Sequence, residues 1–282
     1  MSAADGLGTE SGSVGWLRQI EANVRGAVAV LLRPPRGNTV AWISQPRLVI
    51  ATLLALAVII ASMTLLDAWS VSRARQLPAD LIAAARNFTD LGKSGWFLWP
   101  LGFVLLALAV LDSPAVTRCS RRVLAAFAVR LEFLFLAIAL PSLFATIVKR
   151  IIGRARPFVE GDNVWAYEPF NWYARYASMP SGHTTTAFAA LVAVGAVFPQ
   201  ARALMWIYAV LIALSRVVVT AHFPSDAFAG AVVGAAGAML VRNWFAARRL
   251  GFAVDAGGFV RPMPGPSVWR IIKAVAHRPH SA

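Results

Sequence analysis

The chain is poor in charged residues, in acidic residues and in cysteine. Only 14% of its 282 residues are charged, whereas soluble domains carry about 25%. Asp and Glu (13) are outnumbered by Lys and Arg (27), which gives a formal net charge of +14. The single cysteine, Cys119, excludes an intramolecular disulfide and a cysteine-based zinc site. With 58% hydrophobic residues, the composition excludes an intrinsically disordered chain and argues against an ordinary soluble domain.

Long apolar runs predict membrane spans. A helix needs about 20 apolar residues to cross a hydrocarbon core about 30 Å thick. We therefore predict an all-α fold, a bundle of six transmembrane helices. The predicted spans are Leu48–Leu66, Ser94–Leu111, Val123–Val148, Thr184–Ala201, Ala203–Ala221 and Asp226–Phe245. Runs of this kind argue against a nucleic-acid-binding protein, although the basic composition alone would fit one.

The small residues of the sixth span and the two tails complete this topology. Gly230, Gly234 and Gly237 would let neighbouring helix backbones approach closely. The spans divide the chain into an N-terminal tail (1–47), a membrane domain (48–245) and a C-terminal tail (246–282). The N-terminal tail predicts an amphipathic helix on the membrane surface, with a loosely ordered tail as the alternative. Apolar residues recur there at helical spacing, namely Leu17, Ile20, Val24, Val28 and Leu31.

Lys and Arg are distributed asymmetrically between the two sides of the predicted spans. They are more abundant in the tails and in the second and fourth loops than in the other loops. Because cytoplasmic segments carry the excess of positive charge, we expect both termini to be cytoplasmic and the first, third and fifth loops to lie outside. The membrane would be the inner membrane of a bacterium.

Three segments bring ionisable residues to the ends of predicted spans, where such residues are costly and are functional candidates by default. All three lie on the same outer face in the six-span topology. Lys149 and Arg156 are about two helical turns apart and face the same way if the third helix continues to Pro157. The candidates are, in chain order, Lys149, Arg156, Ser181, Gly182, His183, Ser215, Arg216, His222 and Asp226.

Three cations in this set predict an anion site. The guanidinium groups of Arg156 and Arg216 match phosphate oxygens in pairs, and Lys149 adds a third positive charge. The start of the fourth helix would offer free backbone N–H groups at Ser181, Gly182 and His183. The bound group is therefore expected to be a phosphate, and Ser215 is a weaker candidate ligand.

Two histidines beside a bound phosphate allow metal-free chemistry. One imidazole can attack phosphorus and form a phosphohistidine. The other can protonate the leaving oxygen and then deprotonate a water molecule. Asp226 can fix the tautomer of His222, four residues before it, so the spacing favours His222 as the nucleophile and His183 as the acid–base over the reverse assignment.

These residues fall into three motifs that resemble the signatures of the type 2 phosphatidic acid phosphatase (PAP2) superfamily. The motifs are Lys149-x6-Arg156-Pro157, Pro180-Ser181-Gly182-His183 and Ser215-Arg216-x5-His222-x3-Asp226. The resemblance covers about residues 45–245. It implies a six-span, metal-independent lipid phosphatase without a cofactor, whose pocket opens at the outer face. It also implies that Lys149, Arg156 and Arg216 hold the phosphate with Ser181 and Gly182, that His222 is phosphorylated and oriented by Asp226, and that His183 protonates the leaving group.

Several other residues have simpler interpretations. Arg150 and Arg154 are expected to be interfacial anchors, and His277 and His280 solvated surface residues. The aromatic residues of the loop Phe158–Met179 predict an interfacial belt, with a lid over the substrate's acyl chains as the alternative. The acidic residues Glu160, Asp162 and Glu168 of this loop have no histidine with them, so no metal site is expected. Asp90 and Lys93 either contact a head group or are solvated.

The leading hypothesis is hydrolysis of a phosphate or diphosphate group on a membrane lipid. The alternatives are a lipid phosphotransferase with the same pocket, a non-catalytic membrane protein that binds an anion, and a haloperoxidase, since vanadate mimics the phosphorus transition state. The sequence predicts a lipid phosphate and the bilayer as partners. It specifies neither the lipid nor the oligomeric state.

Overall fold

The protein is described by a computed structural model that covers residues 8–36, 45–111, 118–159 and 163–276. These residues are mostly helical. The helices are α1 (Gly8–Leu32), α2 (Gln45–Leu65), α3 (Asp67–Ala74), α4 (Ala79–Thr89), α5 (Gly95–Leu111), α6 (Arg118–Ile152), α7 (Gly182–Val197), α8 (Arg202–Val218), α9 (Pro224–Ala247) and α10 (Val268–Ala276). Two three-residue strands, β1 (Phe252–Val254) and β2 (Val260–Pro262), form an antiparallel hairpin in the C-terminal tail. The all-α prediction is therefore wrong for this short segment, whose Asp255 accepts the turn's backbone N–H groups at Gly257 and Phe259.

Five helical segments in the described part of the chain are long and apolar enough to cross a membrane: Pro46–Leu65, Ala79–Val110, Cys119–Ile152, Pro199–Val218 and Pro224–Ala247. Exposed leucine and isoleucine side chains cover α2, where the most apolar 18-residue window is only 6% buried within the protein. A surface of this kind is stable in lipid and not in water. The chain is thus a multi-pass membrane protein.

One predicted span is not among these five segments. Helix α7 has 16 residues, fewer than the approximately 20 that cross a full hydrocarbon core, so the count of six spans stays a prediction. The first loop also differs from expectation, because residues that we predicted as a loop form α3 and α4. Apolar residues within those stretches, such as Leu81 and Ile82, supply faces that favour helix formation.

The chain forms two compact units, one comprising Ala41–Trp99 and Phe133–Trp244 and the other comprising Met1–Val40, Pro100–Glu132 and Phe245–Ala282. This division differs from the predicted tail–domain–tail boundaries, which stay a prediction. The first unit contains every described candidate residue of the predicted site, so its interior is the relevant part of the fold.

Helix α7 lies at the centre of the first unit. Its small residues are buried all round, and Ala187 and Leu191 pack against Ala209 and Ile212 of α8. Helix α9 lies directly against α7, because a Cβ placed on Gly234 would be 2.2 Å from the carbonyl oxygen of Thr185. The close backbone approach predicted for the glycines of α9 is therefore confirmed at Gly230 and Gly234, whereas Gly237 packs against the ring of Pro141. This approach fixes the start of α7 beside the start of α9.

The second unit contains the two tails. The backbone N–H of Arg36 donates to the carbonyl of Ala247 (2.7 Å), and Arg130 donates to the carbonyl of Met263 (2.8 Å). Leu124 of α6 packs against Ala274 of α10. The N-terminal tail forms the helix α1 with exposed Val24 and Val28. Its location on a membrane surface stays a prediction.

Candidate active site

The helix of the third predicted span extends past Val148 but ends before Pro157. Helix α6 stops at Ile152, and Gly153 adopts a left-handed conformation with φ of 64°. A Cβ at this position would lie 1.7 Å from the carbonyl oxygen of Glu168, so only glycine fits. The following residues are extended and bridge Tyr167, which directs Arg154 inward. The condition under which Lys149 and Arg156 would share a helix face, continuation of the helix to Pro157, is therefore not met.

Arg154, which we predicted to be an interfacial anchor, is instead fully buried. Its guanidinium donates to the Asp226 carboxylate (2.8 Å) and to the Asp67 carboxylate (2.8 Å). It also donates to Ser225 Oγ (2.7 Å) and to the carbonyl of Val164 (3.0 Å). Burial lowers the pKa of Arg154, but the two carboxylates outweigh this effect and the pKa is raised. The anchor interpretation of Arg154 is wrong.

Asp226, in the first turn of α9, accepts hydrogen bonds on both carboxylate oxygens. Oδ1 accepts from Arg154, and Oδ2 accepts from Ser178 Oγ (2.5 Å) and from the backbone N–H of Phe223 (2.9 Å). His222 Nδ1 lies 3.6 Å from Oδ2. This separation is longer than a hydrogen bond, although catalytic hydrogen bonds often tighten only with substrate. The carboxylate is thus held in one orientation beside the His222 ring.

His222 is held over the end of α8 by its own backbone. The N–H groups of Ala221 and His222 both donate to the carbonyl of Arg216 (3.1 and 3.2 Å), and Thr220 turns the chain with φ of 51°. The side chain of His222 is 2% exposed. The five residues between Arg216 and His222 therefore form the turn that connects α8 to the start of α9.

Burial sets the protonation state of His222. It lowers the pKa of the imidazole to about 4, against the opposing effect of Asp226, and the positive charges of Arg156 and Arg216 lower it further. The ring is consequently neutral at pH 7. Neutral imidazole has the free lone pair that attack on phosphorus requires.

The start of α7 differs from the prediction in one respect. The backbone N–H of Ser181 donates to the carbonyl of Asp226 (3.0 Å), so the prediction that this N–H is free for an anion is wrong. The bond forms because α7 and α9 begin side by side. Ser181 Oγ accepts from Thr184 Oγ1 (3.1 Å). A role of the Ser181 hydroxyl in phosphate binding stays a prediction.

Two of the candidate cations lie close to the start of α7. A Cβ placed on Gly182 would lie 2.9 Å from Lys149 Nζ, so the ammonium group of α6 contacts the first residue of α7. His183 interacts electrostatically with Arg216, His222 and Lys149. The segments that are distant in sequence therefore converge at one end of the helices of this unit.

Arg216 is fixed by a residue that the sequence did not indicate. Its guanidinium donates to Thr89 Oγ1 (2.8 Å) at the end of α4, and both side chains are buried. Its Nε has no hydrogen-bond partner among the described residues. Ser215 donates its hydroxyl proton to the carbonyl of Ile212 (2.7 Å), so this proton is not directed to an anion and its role as a ligand stays a prediction.

Arg156 is positioned by the loop that follows α6. Its Nε donates to the carbonyl of Ala174 (2.9 Å), and its backbone N–H donates to the carbonyl of Arg175 (2.9 Å). Desolvation by burial lowers the pKa of Arg156, and the Asp226 carboxylate opposes this. Three cations with one nearby carboxylate already bonded elsewhere leave the site with uncompensated positive charge. A phosphate dianion is the ligand that such a site favours.

Two sets of residues around the site were each predicted with two interpretations, namely the aromatic loop and the pair Asp90 and Lys93, and the geometry is compatible with both. Phe170, Trp172 and Tyr173 are exposed, as expected for either a belt or a lid. Asp90 and Lys93 form an ion pair (2.9 Å) with both side chains more than half exposed. Within the described residues no group of three His, Cys, Asp or Glu side chains could hold a metal ion. Glu160, Asp162, His277 and His280 lie outside the described residues.

Comparison with known proteins agrees with the sequence motifs. The profile of the PAP2 superfamily matches residues 131–250. A lipid A 1-phosphatase of Rhizobium johnstonii is 31% identical over 204 residues, which cover 71% of this chain and 82% of the relative. The chain belongs to the PAP2 superfamily. The family named from the three motifs is thereby confirmed.

Further relatives of this PAP2 chain share shorter or more distant similarity. A lipid A 1-phosphatase of Rhizobium etli is 39% identical over 103 residues, 36% of this chain and 44% of the relative. The crystal structure of Aquifex aeolicus LpxE covers 62% of this chain and 94% of that chain, with 24% identity and a TM-score of 0.45. The crystal structure of a PAP2-type phosphatidylglycerolphosphate phosphatase from Bacillus subtilis covers 70% and 94%, with 20% identity and a TM-score of 0.49.

Four residues of this PAP2 site were not among the predicted candidates. Thr89, Ser178 and Ser225 are small polar residues that no pattern distinguishes from ordinary packing residues. Asp67 did carry a signal, since it directly follows a predicted span and a charge at that boundary is unusual.

Proposed function

We propose that this membrane phosphatase of the PAP2 superfamily removes a phosphate or diphosphate group from a lipid by way of a phosphohistidine on His222. The observation that supports the proposal is the convergence of Lys149, Arg156 and Arg216 with His183 and His222 at one end of apolar helices. Positive charge binds the anion, and the lipid tail lies where the helix surfaces are apolar.

The residues divide the reaction into two steps. In the first, His222 Nε2 attacks phosphorus, the bond to the lipid oxygen breaks, and His183, protonated when the phosphate dianion offsets the surrounding positive charge, gives its proton to that oxygen. In the second, neutral His183 takes a proton from water, the oxygen attacks phosphorus, and the phosphorus–nitrogen bond breaks to release phosphate. Asp226 stabilises the positive charge that His222 carries while it is phosphorylated. No step requires a metal ion.

Among lipid phosphates, lipid A 1-phosphate is the first candidate substrate. Two relatives named lipid A 1-phosphatase match this chain, one of them over 82% of its length. The pocket residues named above bind phosphate and carry no information about the tail, so other lipid phosphates remain in the experiment as competitors.

The decisive experiment gives purified protein a panel of lipid phosphates in the presence of a chelator and measures free phosphate. The panel contains lipid A, phosphatidic acid, phosphatidylglycerophosphate and a polyprenyl diphosphate. We expect release from at least one lipid, abolished in His222→Ala and Arg216→Gln and unchanged in Arg86→Gln, an exposed arginine of α4. Release that persists in His222→Ala would refute the nucleophile assignment.

The alternatives predict different products in the same experiment. A phosphotransferase releases no phosphate from any lipid alone but transfers the group when a second lipid is added. A non-catalytic anion-binding protein does neither, although it binds phosphate. Loss of all activity in the chelator, restored by a divalent metal, would contradict the metal-free mechanism.

We further propose that the site opens on the outer face of the bacterial inner membrane, with both termini in the cytoplasm. The Lys and Arg asymmetry supports this orientation. A chain with Cys119→Ser and Phe170→Cys tests it, because Phe170 is 71% exposed in the loop beside the site. A membrane-impermeant maleimide should label this cysteine in spheroplasts, and labelling only after lysis would reverse the orientation.

A further inference from the structure

A buried ionic cluster includes the carboxylate of Asp226. Arg154, Asp67 and Asp226 are all 0% exposed. The guanidinium bridges the two carboxylates, at 2.8 Å to each. Asp67 comes from the segment after α2, whereas Asp226 belongs to α9, so one arginine joins residues that are far apart in sequence.

The bonds of Arg154 are directional and nearly complete. Its four terminal N–H groups donate to Ser225 Oγ, Asp226, Asp67 and the carbonyl of Val164. The guanidinium carbon lies 4.3 Å from the centre of the Phe223 ring, and the backbone N–H of Phe223 bonds the other oxygen of Asp226. A planar fork with several donors is required for this arrangement, and a lysine ammonium cannot reproduce it.

Asp67 contacts Ser225, the second residue of α9, as well as Arg154. Its Oδ1 accepts from the backbone N–H of Ser225 (3.0 Å) and its Oδ2 accepts from Ser225 Oγ (2.6 Å). It thereby caps the start of α9, where a negative charge is favourable. The first turn of α9, which carries Asp226, is thus fixed by both its backbone and its side chains.

Stability alone does not account for such a cluster. Buried ion pairs are often replaceable by apolar residues without loss of stability, because their desolvation offsets their attraction. Here the cluster carries one arginine for two carboxylates and it touches the carboxylate beside His222. A positioning role explains both its location and its composition.

We propose that Arg154 and Asp67 are positioning residues that hold Asp226 in the orientation that fixes His222 for attack on phosphorus. The inference rests on the proposed function, in which His222 is the nucleophile. Neither residue contacts the candidate phosphate ligands, so both act through Asp226. The positive charge of Arg154 also partly neutralises the Asp226 carboxylate beside His222, and the Asp67 carboxylate partly neutralises Arg154 in turn.

The pH dependence distinguishes positioning from a structural role. The charged groups around His222 are Lys149, Arg156, His183, Arg216 and Asp226, with Arg154 and Asp67 behind Asp226. Arg154→Gln removes a positive charge, which stabilises the imidazolium and raises the pKa of His222. The acid limb of kcat/KM then moves to higher pH, by about one unit. Asp67→Asn removes a negative charge and does not move the limb upward.

The experiment measures kcat, KM and the pH profile for the wild type, Arg154→Gln, Arg154→Lys and Asp67→Asn, with Arg86→Gln as the control. We expect kcat to fall about 10- to 100-fold in Arg154→Gln and Asp67→Asn, as for outer residues that orient a reactive group at other sites. KM and inhibition by inorganic phosphate stay within about twofold, since the cations that bind phosphate are intact. Arg154→Lys restores the acid limb, because the charge returns, but only part of kcat.

The inference is overturned if Arg154→Gln has the kcat or the pH profile of Arg86→Gln, or if Asp67→Asn raises the acid limb as Arg154→Gln does. If Arg154→Gln fails to fold, the kinetic comparison uses the other two variants. Arg154→Lys keeps the positive charge, and Asp67→Asn keeps the shape of the side chain. If the wild type releases no phosphate, the proposed function fails by itself. The titration of the four histidines by NMR then tests the inference, because an unchanged pKa of His222 in Arg154→Gln would overturn it.

Discussion

Replacing Thr89 by valine tests whether the contact with Arg216 matters for phosphate binding. The substitution keeps the shape of the side chain and removes the oxygen that accepts from the guanidinium at 2.8 Å. Because both side chains are buried, water does not replace the lost partner. A buried charged group that loses such a bond costs about 1 to 3 kcal/mol. At about 1.4 kcal/mol for each tenfold change, kcat/KM should fall between about 5- and 150-fold.

The assay is phosphate release from the best lipid substrate over a range of concentrations, for wild type, Thr89→Val and a matched control. Thr64→Val is the control, since Thr64 is exposed on α2 and bonds only carbonyls of its own helix. We expect Thr64→Val to match the wild type. Equal kcat/KM in Thr89→Val and Thr64→Val would refute the conclusion that Thr89 fixes Arg216 for the anion.

Three further predictions concern pH, packing and transition-state mimicry. Because burial lowers the pKa of His222 to about 4, kcat/KM should keep its nucleophile contribution from about pH 8 down to about pH 5 and lose it below, once the ionisation of the substrate is subtracted. A His222 resonance that titrates by NMR near the ordinary pKa of about 6.5 would contradict this. Gly234→Ala should lower the thermal unfolding midpoint, because the new Cβ would lie 2.2 Å from the carbonyl oxygen of Thr185. The expected loss in the free energy of unfolding is about 1 to 3 kcal/mol. Gly26→Ala is the control and should leave the midpoint unchanged, since a Cβ there has nothing within 4 Å. Vanadate should inhibit competitively in the presence of a chelator, and a lack of inhibition at concentrations that saturate inorganic phosphate binding would argue against a pocket for a five-coordinate anion.

Helical spacing and the length of apolar runs predicted much of the fold. Leu48–Leu66 and Ser94–Leu111 correspond closely to α2 and α5, because a charge-free run is decisive in a membrane protein. Helices α3 and α4 were not predicted, since short amphipathic stretches between spans resemble loops. The end of α6 at Ile152 was missed because Gly153 is the only local signal for it, and only the packing of Glu168 against Gly153 shows that the helix must turn there.

The candidate site was predicted in its phosphate-contacting residues and not in the residues that position them. The motifs identified the residues that would touch a phosphate, because three cations and two histidines at span ends have few structural explanations. The residues that hold them in place are less visible. Arg154 looked like an anchor beside Arg150, and its partner Asp67 lies 87 residues earlier in the chain. A partnership between residues so far apart is set by tertiary packing and leaves no local pattern in the sequence.

The most direct test of the account is the identity of the group that carries the phosphoryl moiety during turnover. The protein is mixed with labelled lipid phosphate, denatured in alkali, which preserves phosphohistidine, and mapped by mass spectrometry of its peptides. We predict one phosphoryl group on the peptide that contains His222, and none in His222→Ala. Label on His183 alone, or undiminished phosphate release by a chain that lacks the imidazole at position 222, would contradict the account.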